Sequence, residues 1–392
     1  MAARTAVVVG AGIGGLAAAI ALRQAGWSVR LFERAAAARE LGFALLLAPN
    51  AMHALRGIGL AETARHGGAV ATSGEMRRPD GTVLRRFDTA AARALLDEDA
   101  VCILRPVLHG ALLDAAGRDL VELSAEASGF ESAPDHVELT LRDGRTVAAD
   151  VLVGADGVGS VIRRQLHPAE PAPRASGLFA VRGVARDATE HLGADSGAQY
   201  FGCGFEAGVA RAGERHVYWY LSVRADAFAP PRDAAAIATR CAELFHAPFR
   251  SIVAATPTDE LRLDELFERD PLSDWGRGPV TLLGDAAHPM LPHAGQGAAQ
   301  ALEDAIALGT VLRDAATPPA VLAALRHYER VRAERTRSII AIASRNARVG
   351  SIKSPVACWL RDQGIRMMPQ AVILRSLVAF GKPPEITSIP TP

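Results

Sequence analysis

The sequence predicts an α/β chain: a discontinuous nucleotide-binding domain, interrupted by a mixed α+β domain and followed by a helical segment. Three observations predict it. The chain opens on "TAVVVGAGIGGLAAAIALRQAGWSVRLFER", a strand, glycine turn, helix and strand within about 30 residues, the length of a βαβ unit. From residue 175 to 275 the pattern changes to alternating strands such as "RHVYWYLSV". A second strand-to-helix transition then follows at "GPVTLLGDAAHPMLPHAGQGAAQALEDAIALGTVL".

The elements follow in order. The first strand begins near Thr5, and Gly26 ends the first helix as a C′ glycine. "VELSAEASGFE" reads as one short strand-like run and "HVELTLRDGRTV" as another, the latter turning at Asp143-Gly144. "ADVLVGADGVGSVIRRQL" again passes from strand through glycine turn to helix. "LFAVRGVA", "AQYFGCGFEAGVARA" and "RHVYWYLSV" read as sheet, and "RDAAAIATRCAELF" as one helix. Helices run from Ala298 to about Phe380, interrupted at Pro318, Pro355 and Pro369, and the tail "GKPPEITSIPTP" is expected to be extended or disordered. These signals divide the chain into a nucleotide-binding domain of residues 1–174 and 276–350, a substrate domain of 175–275, a C-terminal helix of 351–380 and a tail of 381–392.

Composition narrows the function. Hydrophobic residues make up 49%, charged residues 22%, and the formal net charge is zero. That balance gives no electrostatic footprint for nucleic acid or an anionic membrane, so small molecules are the expected partners. Lysine occurs only at Lys353 and Lys382, which excludes a P-loop or a Schiff-base mechanism from an early lysine. Cys102, Cys203, Cys241 and Cys358 lie far apart, signalling neither a metal site nor a disulfide framework, and a reduced, cytoplasmic setting is expected. "GAGIGGLAAAIAL" is shorter than a membrane span and follows a strand, so it reads as fold rather than targeting.

Gly10, Gly12 and Gly15 form G-x-G-x-x-G between a strand and a helix. The first allows the tight turn, the second the approach of a pyrophosphate, and the third close packing of helix on strand. Glu33 ends the second strand, where a carboxylate accepts hydrogen bonds from an adenosine ribose. This motif alone does not separate FAD from NAD. Asp285 does, because it ends a buried strand just before a glycine-rich helix start at Gly297. A carboxylate there accepts from a sugar chain, while the helix N-terminus stabilises negative charge at the far end of the same cofactor. FAD spans both sites, with its ribityl chain at Asp285 and its N1/O2 edge at the helix; NAD has no anionic ring at that end.

"GAGIGG" with Glu33-Arg34, "GADG" with Asp156-Gly157, and "GDAAHPMLPHAGQGAAQALEDA" together resemble the single-component FAD-dependent aromatic monooxygenases, the family of para-hydroxybenzoate hydroxylase. The similarity extends through "GFALLLAPNAMHALRGIGL", "ILRPVLHGALL" and the middle sheet, to about residue 380. It implies a Rossmann-type FAD-binding domain with an inserted mixed α+β substrate domain. It further implies that Glu33 and Arg34 hold the adenosine end, Arg105 reaches the pyrophosphate or ribityl region, and Ala127 offers backbone to the adenine. Asp156 would lie near the pyrophosphate, Asp285 at the ribityl chain, and Gly297 and Ala298 beside the flavin ring.

The chemistry implied by the resemblance is reduction of FAD by NADH or NADPH, formation of a flavin C4a-hydroperoxide with oxygen, and hydroxylation of an aromatic or polycyclic small molecule. Such a site needs few catalytic side chains, because the cofactor carries the hard chemistry. Pro292 is the candidate flavin-facing wall, and His288 and His293 are candidate polar groups, His288 serving either as proton carrier or as turn stabiliser. Alternation places His216, Tyr218 and Tyr220 on one sheet face, making Tyr218 and Tyr220 the candidate substrate contacts, with aromatic core packing as the alternative. Arg182 is expected in a structural salt bridge, and "AQYFGCGFEAG" carries no arginine to grip an acidic substrate. A FAD-dependent reductase or dehydrogenase on the same scaffold, and a non-catalytic flavin-binding escort, remain as alternatives. The choice between NADH and NADPH, and between monomer and homodimer, is not legible in the sequence.

Overall fold

Strands buried along nearly their whole length need cover on both faces, and three such runs, residues 5–9, 151–154 and 280–282, form the centre of the molecule. A computed structural model describes residues 4–37, 43–192 and 197–382 of the chain. Its first part contains β1 (Thr5–Val9), α1 (Ile13–Gln24), β2 (Ser28–Phe32), β3 (Ala44–Leu47), α2 (Pro49–Gly57), α3 (Ala61–Gly67), β4 (Gly68–Val70), β5 (Glu75–Arg77), β6 (Val83–Arg86), α4 (Thr89–Leu96), β7 (Val101–Leu104) and α5 (Arg105–Ala116). Next come β8 (Val121–Glu122), β9 (Ala127–Ser132), β10 (Val137–Leu141), β11 (Thr146–Ala149), β12 (Val151–Gly154) and α6 (Val161–Leu166). The middle holds β13 (Arg174–Ala185), β14 (Gly197–Phe201), β15 (Phe205–Ala212), β16 (His216–Arg224), α7 (Ala234–Ala242), α8 (Ala247–Ala254) and β17 (Arg262–Glu268). The chain then returns through β18 (Val280–Leu282) to α9 (Gly297–Leu312), α10 (Pro318–Gly350), α11 (Pro355–Met367) and α12 (Gln370–Gly381).

The core sheet is parallel, in the order β18-β12-β1-β2-β8. The chain leaves β1 for β2 on one side and comes back to β12 on the other, so a crevice opens at the carboxyl ends of β1 and β12. β12 and β18 are buried at every position, as parallel strands covered on both faces are. α1 and α9 lie backbone to backbone on this sheet, since a Cβ at Gly309 would stand 2.9 Å from both the Cβ and the carbonyl oxygen of Ala21.

The seven-stranded sheet has the order β17-β13-β16-β15-β14-β5-β6. One face buries Val181, Ala207, Val209, Trp219 and Leu221 under Ile237, Phe245, Phe249 and Ile252 of the α7–α8 region. The other face meets the nucleotide-binding unit, where Leu178 and Ala180 pack on Leu291, Ala343 and Ala347. Nearby, Tyr218 packs on the cluster of Ala44, Cys102 and Ala212.

Three details differ from the sequence reading. "VELSAEASGFE" is two strands in two sheets: β8 pairs with β2 and β9 with β10, separated by a turn with Ser124 at φ +55°. "RDAAAIATRCAELF" stays helical only to Ala242, and α8 starts afresh with a proline in its first turn. The β5–β6 hairpin joins the large sheet through β14, so that sheet draws on residues well before 175. The expected tail lies outside the described residues from position 383 onward.

A buried ion network joins α9 to α10. Arg332 is fully buried; its Nε donates to Asp304 at 2.6 Å, and it also pairs with Glu303. Arg335 adds a second cation to Glu303 at 2.6 Å. Burial disfavours charge on Asp304, yet His288 and Arg332 outweigh it and hold the carboxyl down to about 2. Removing the cation would leave two buried carboxylates, Asp304 and Glu303, each short of one charged partner. Arg332→Leu is therefore expected to cost about 3–5 kcal/mol in denaturant unfolding, far more than an exposed arginine substitution.

Candidate active site

The glycine loop is built by contact, not by composition alone. Gly10 lies at φ +102°, and a Cβ on it would meet the Ala155 carbonyl oxygen at 2.4 Å. A Cβ on Gly15 would stand 1.9 Å from the Gly10 carbonyl oxygen. Gly12 caps α1 without a side-chain hydrogen bond, and no acidic residue occupies the first turn. The amide groups at this helix start are thus left for an anion. Glu33 stands beside them, its carboxylate accepting from the amides of Ala11 at 2.8 Å and Ala35 at 2.9 Å.

The second half of the site repeats the device. Asp285 is exposed within a stretch, Thr281 to Pro289, that is otherwise buried. The loop carrying it is pinned from three sides. The Gly284 amide donates to Asp304 at 2.9 Å. The Tyr328 hydroxyl donates to the Leu282 carbonyl at 3.0 Å. Arg163 of α6 donates to the carbonyls of Ala286 and Ala287, each at 2.9 Å, while pairing with Glu170.

α9 then starts at Gly297 with neither a side-chain cap nor an acidic first turn. Gln296, in the capping position, is instead turned inward and accepts from Asn50 and Gln300, each at 3.0 Å. Side chains cap α4, α6, α7, α10 and α11, whereas α2, α3, α5, α8 and α12 also start without one. A Cβ at Gly297 would meet only Asp285 Oδ1, at 4.0 Å, so packing within the protein does not demand this glycine. The two uncapped starts, the loop glycines and the exposed carboxylate fit FAD, a cofactor charged at the pyrophosphate and at the far edge of its ring.

The remaining sequence candidates fall into three groups. Arg105 begins α5 close to Asp285: burial lowers its pKa, Asp285 opposes that, and Arg182 adds to it. Arg34 and Pro292 are exposed and Ala298 is half-buried. Ala127 begins β9 opposite Leu141, whereas the backbone that contacts Glu33 is that of Ala125.

The geometry refines one expectation and corrects another. The Asp156 backbone abuts Gly10, but its carboxylate accepts from the Ser160 hydroxyl and the Val161 amide and so caps α6. Ser160 in turn accepts from the Arg163 amide at 2.9 Å. His288 is buried, bonded through Nε2 to Asp304 at 2.6 Å and packed on Trp275. A histidine enclosed in that network is a structural partner, not a carrier of protons to the crevice.

The inward face of the large sheet carries the other polar groups. Tyr218 and Tyr220 are half-buried neighbours with ring centroids 6.4 Å apart, and Phe43 lies 6.3 Å from Tyr218. Arg182 pairs with Asp264 at 3.2 Å, the salt bridge the sequence suggested. His293 shares a hydrogen bond with Ser222 at 2.8 Å, and burial together with Arg182 lowers its pKa to about 4, leaving it neutral near pH 7. Glu206 is buried on the same face, and burial pushes its carboxyl up to about 8 against the pull of Arg361, Tyr220 and Gln199. Sequence reasoning missed Glu206, Arg163 and the Arg332 network. Only Glu206 left a trace, as a lone acid in an apolar alternating strand.

Fold and site together define a flavoprotein. The model of the family described as "FAD binding domain" matches residues 3–343. The chain is 35% identical to the aurachin C monooxygenase/isomerase of Stigmatella aurantiaca over 93% of this chain and 94% of that one. It is 34% identical to 3-hydroxybenzoate 6-hydroxylase 1 of Aquipseudomonas alcaligenes, over 84% and 85%. HpxO of Klebsiella pneumoniae, solved with FAD and uric acid, superposes with a TM-score of 0.89 at 26% identity, over 97% of each chain. The protein belongs to the FAD-dependent aromatic monooxygenase family. Among the described residues no helix is long and apolar enough to cross a membrane.

Asp285 is solvent-facing, so Asp285→Ala is expected to keep the melting temperature of the FAD-free protein while weakening FAD by about 1.5–3 kcal/mol, read by flavin fluorescence titration. Gly15→Ala is expected to lose both, because its Cβ has no room against Gly10.

Proposed function

We propose that the protein uses NADH or NADPH and molecular oxygen to hydroxylate an aromatic or polycyclic small molecule held between the Tyr218–Tyr220 face and the loop of residues 292–298. The observation that carries this reading is the pairing of the exposed Asp285 with the uncapped start of α9. FAD, when bound, supplies the two-electron chemistry and the activation of oxygen.

Each residue then has a task. The Gly10, Gly12 and Gly15 loop and the start of α1 receive the pyrophosphate, while Glu33 accepts from the ribose, with Arg34 and the backbone near Ala127 beside the adenosine. Asp285 accepts from the ribityl hydroxyls, with Arg105 close by. The amides at Gly297 and Ala298 stabilise negative charge on the ring edge. Pro292 walls the ring without offering a proton, and Tyr218, Tyr220 and Phe43 keep water from the reacting carbon. Residues 1–174 and 276–350 serve as the cofactor unit and 175–275 as the substrate unit, the latter enlarged by the β5–β6 hairpin. A cytoplasmic monomer or homodimer suits this chemistry.

The test is oxygen uptake by the FAD-loaded protein with either nicotinamide cofactor, with and without added aromatics, using labelled oxygen. Aromatic-stimulated uptake and one labelled oxygen in the product are expected; NAD(P)H oxidation without incorporation would leave a reductase. Gly297→Val is expected to lower the flavin reduction potential, because a branched side chain displaces the ring edge from the helix dipole. A redox titration that returns the parent potential would remove α9 from that role.

A further inference from the structure

α11 turns an apolar face away from the protein. Val356, Trp359, Leu360 and Met367 are 54–79% exposed, and spacings of three, four and eleven residues return to one side of a helix. Met368 and Val372, at the turn into α12, are exposed as well. The opposite side holds the helix down. Cys358 and Asp362 are buried there, Asp362 accepts from Arg78 at 2.7 Å, and Arg361 donates to the Gly202 carbonyl, just beyond β14, at 2.9 Å. Ser354 caps the start of the helix. The apolar face therefore belongs to an anchored helix and does not arise from fraying.

The zero net charge of the chain conceals a local excess. Residues 353–382 contain Lys353, Arg361, Arg366, Arg375 and Lys382 against one acid, Asp362, and include both lysines of the chain. Asp362 is buried and already paired. Arg366, Arg375 and Lys382 are exposed, with no acidic partner among the described residues. Arg366 comes seven residues after Trp359 and so borders the apolar face. We propose that α11 and the start of α12 dock this protein on an anionic phospholipid bilayer, the apolar side chains entering the headgroup–acyl boundary and the basic ones meeting lipid phosphates. Attachment is to the surface, since no described helix is long and apolar enough to cross a membrane. A second copy of the chain suits the face less well: in a symmetric pair each patch meets itself, and its basic side chains would oppose one another with no free acid between them. None of these residues is assigned to the flavin or to substrate.

The experiment uses FAD-loaded protein with sedimentable vesicles of phosphatidylcholine, alone or with about a quarter phosphatidylglycerol. Binding to the anionic vesicles is expected to be about tenfold or more tighter than to the neutral ones, and to weaken as salt shortens the screening length. Trp27, Trp219 and Trp275 are buried, so Trp359, the exposed one of the four tryptophans, reports the contact through a blue shift of its emission. Leu360→Asp places a charge within the face and is expected to abolish binding. Arg366→Glu combined with Arg375→Glu is expected to remove the preference for anionic lipid. All three positions are exposed, and an unchanged melting temperature and FAD content will show that each variant keeps its fold. Absence of binding, equal binding to neutral vesicles, or binding that survives Leu360→Asp overturns the proposal. So does a dimer in sedimentation velocity that Leu360→Asp dissociates, because a second copy then covers the face.

Discussion

The site depends on Arg332, a fully buried guanidinium that ties α10 to α9 and, through Asp304, to the end of β18. A buried cation is costly unless its partners surround it, and here Glu303, Asp304 and Gln300 do. The same Asp304 accepts from the Gly284 amide and from His288. One carboxylate therefore sets the distance between the strand end that carries Asp285 and the helix whose start faces it.

The second constraint is negative: the two helices that start beside the crevice, α1 and α9, carry neither a side-chain cap nor an acid in the first turn. The capping residue of α1 is a glycine, and that of α9 is a glutamine whose side chain is spent on Asn50 and Gln300. Unpaired amides at a helix start are tolerated where a ligand or water takes them. Placing two such starts at the carboxyl edge of one parallel sheet makes a receptor for a long molecule with charge at separated points. The strand crossover at β1 and β12 provides the opening between them.

The large sheet contributes shape and polarity, not acid–base groups in the ordinary sense. Its outward face is a core closed by α7 and α8. Its inward face keeps Tyr218, Tyr220, Ser222 and Glu206 at alternate positions, with His293 held neutral by burial. Such a surface orients a ring and excludes water, which suits chemistry carried by the cofactor.

The sequence by itself determined the parallel unit, because continuous apolar strands, glycine spacing and Glu33 are local signals that only one local geometry satisfies. It also placed Asp285 at a strand end and Gly297 at a helix start, since both follow from short-range pattern. Tertiary structure decided the rest. Nothing near His288 in the chain shows that it meets Asp304, for that partner is chosen by the packing of the loop on α9. Arg332 is one arginine among many in a long amphipathic helix until α9 lies against it. The β5–β6 hairpin joins a sheet whose nearest strand, β14, lies more than a hundred residues further along the chain, a pairing set by the closure of the sheet edge rather than by residue type.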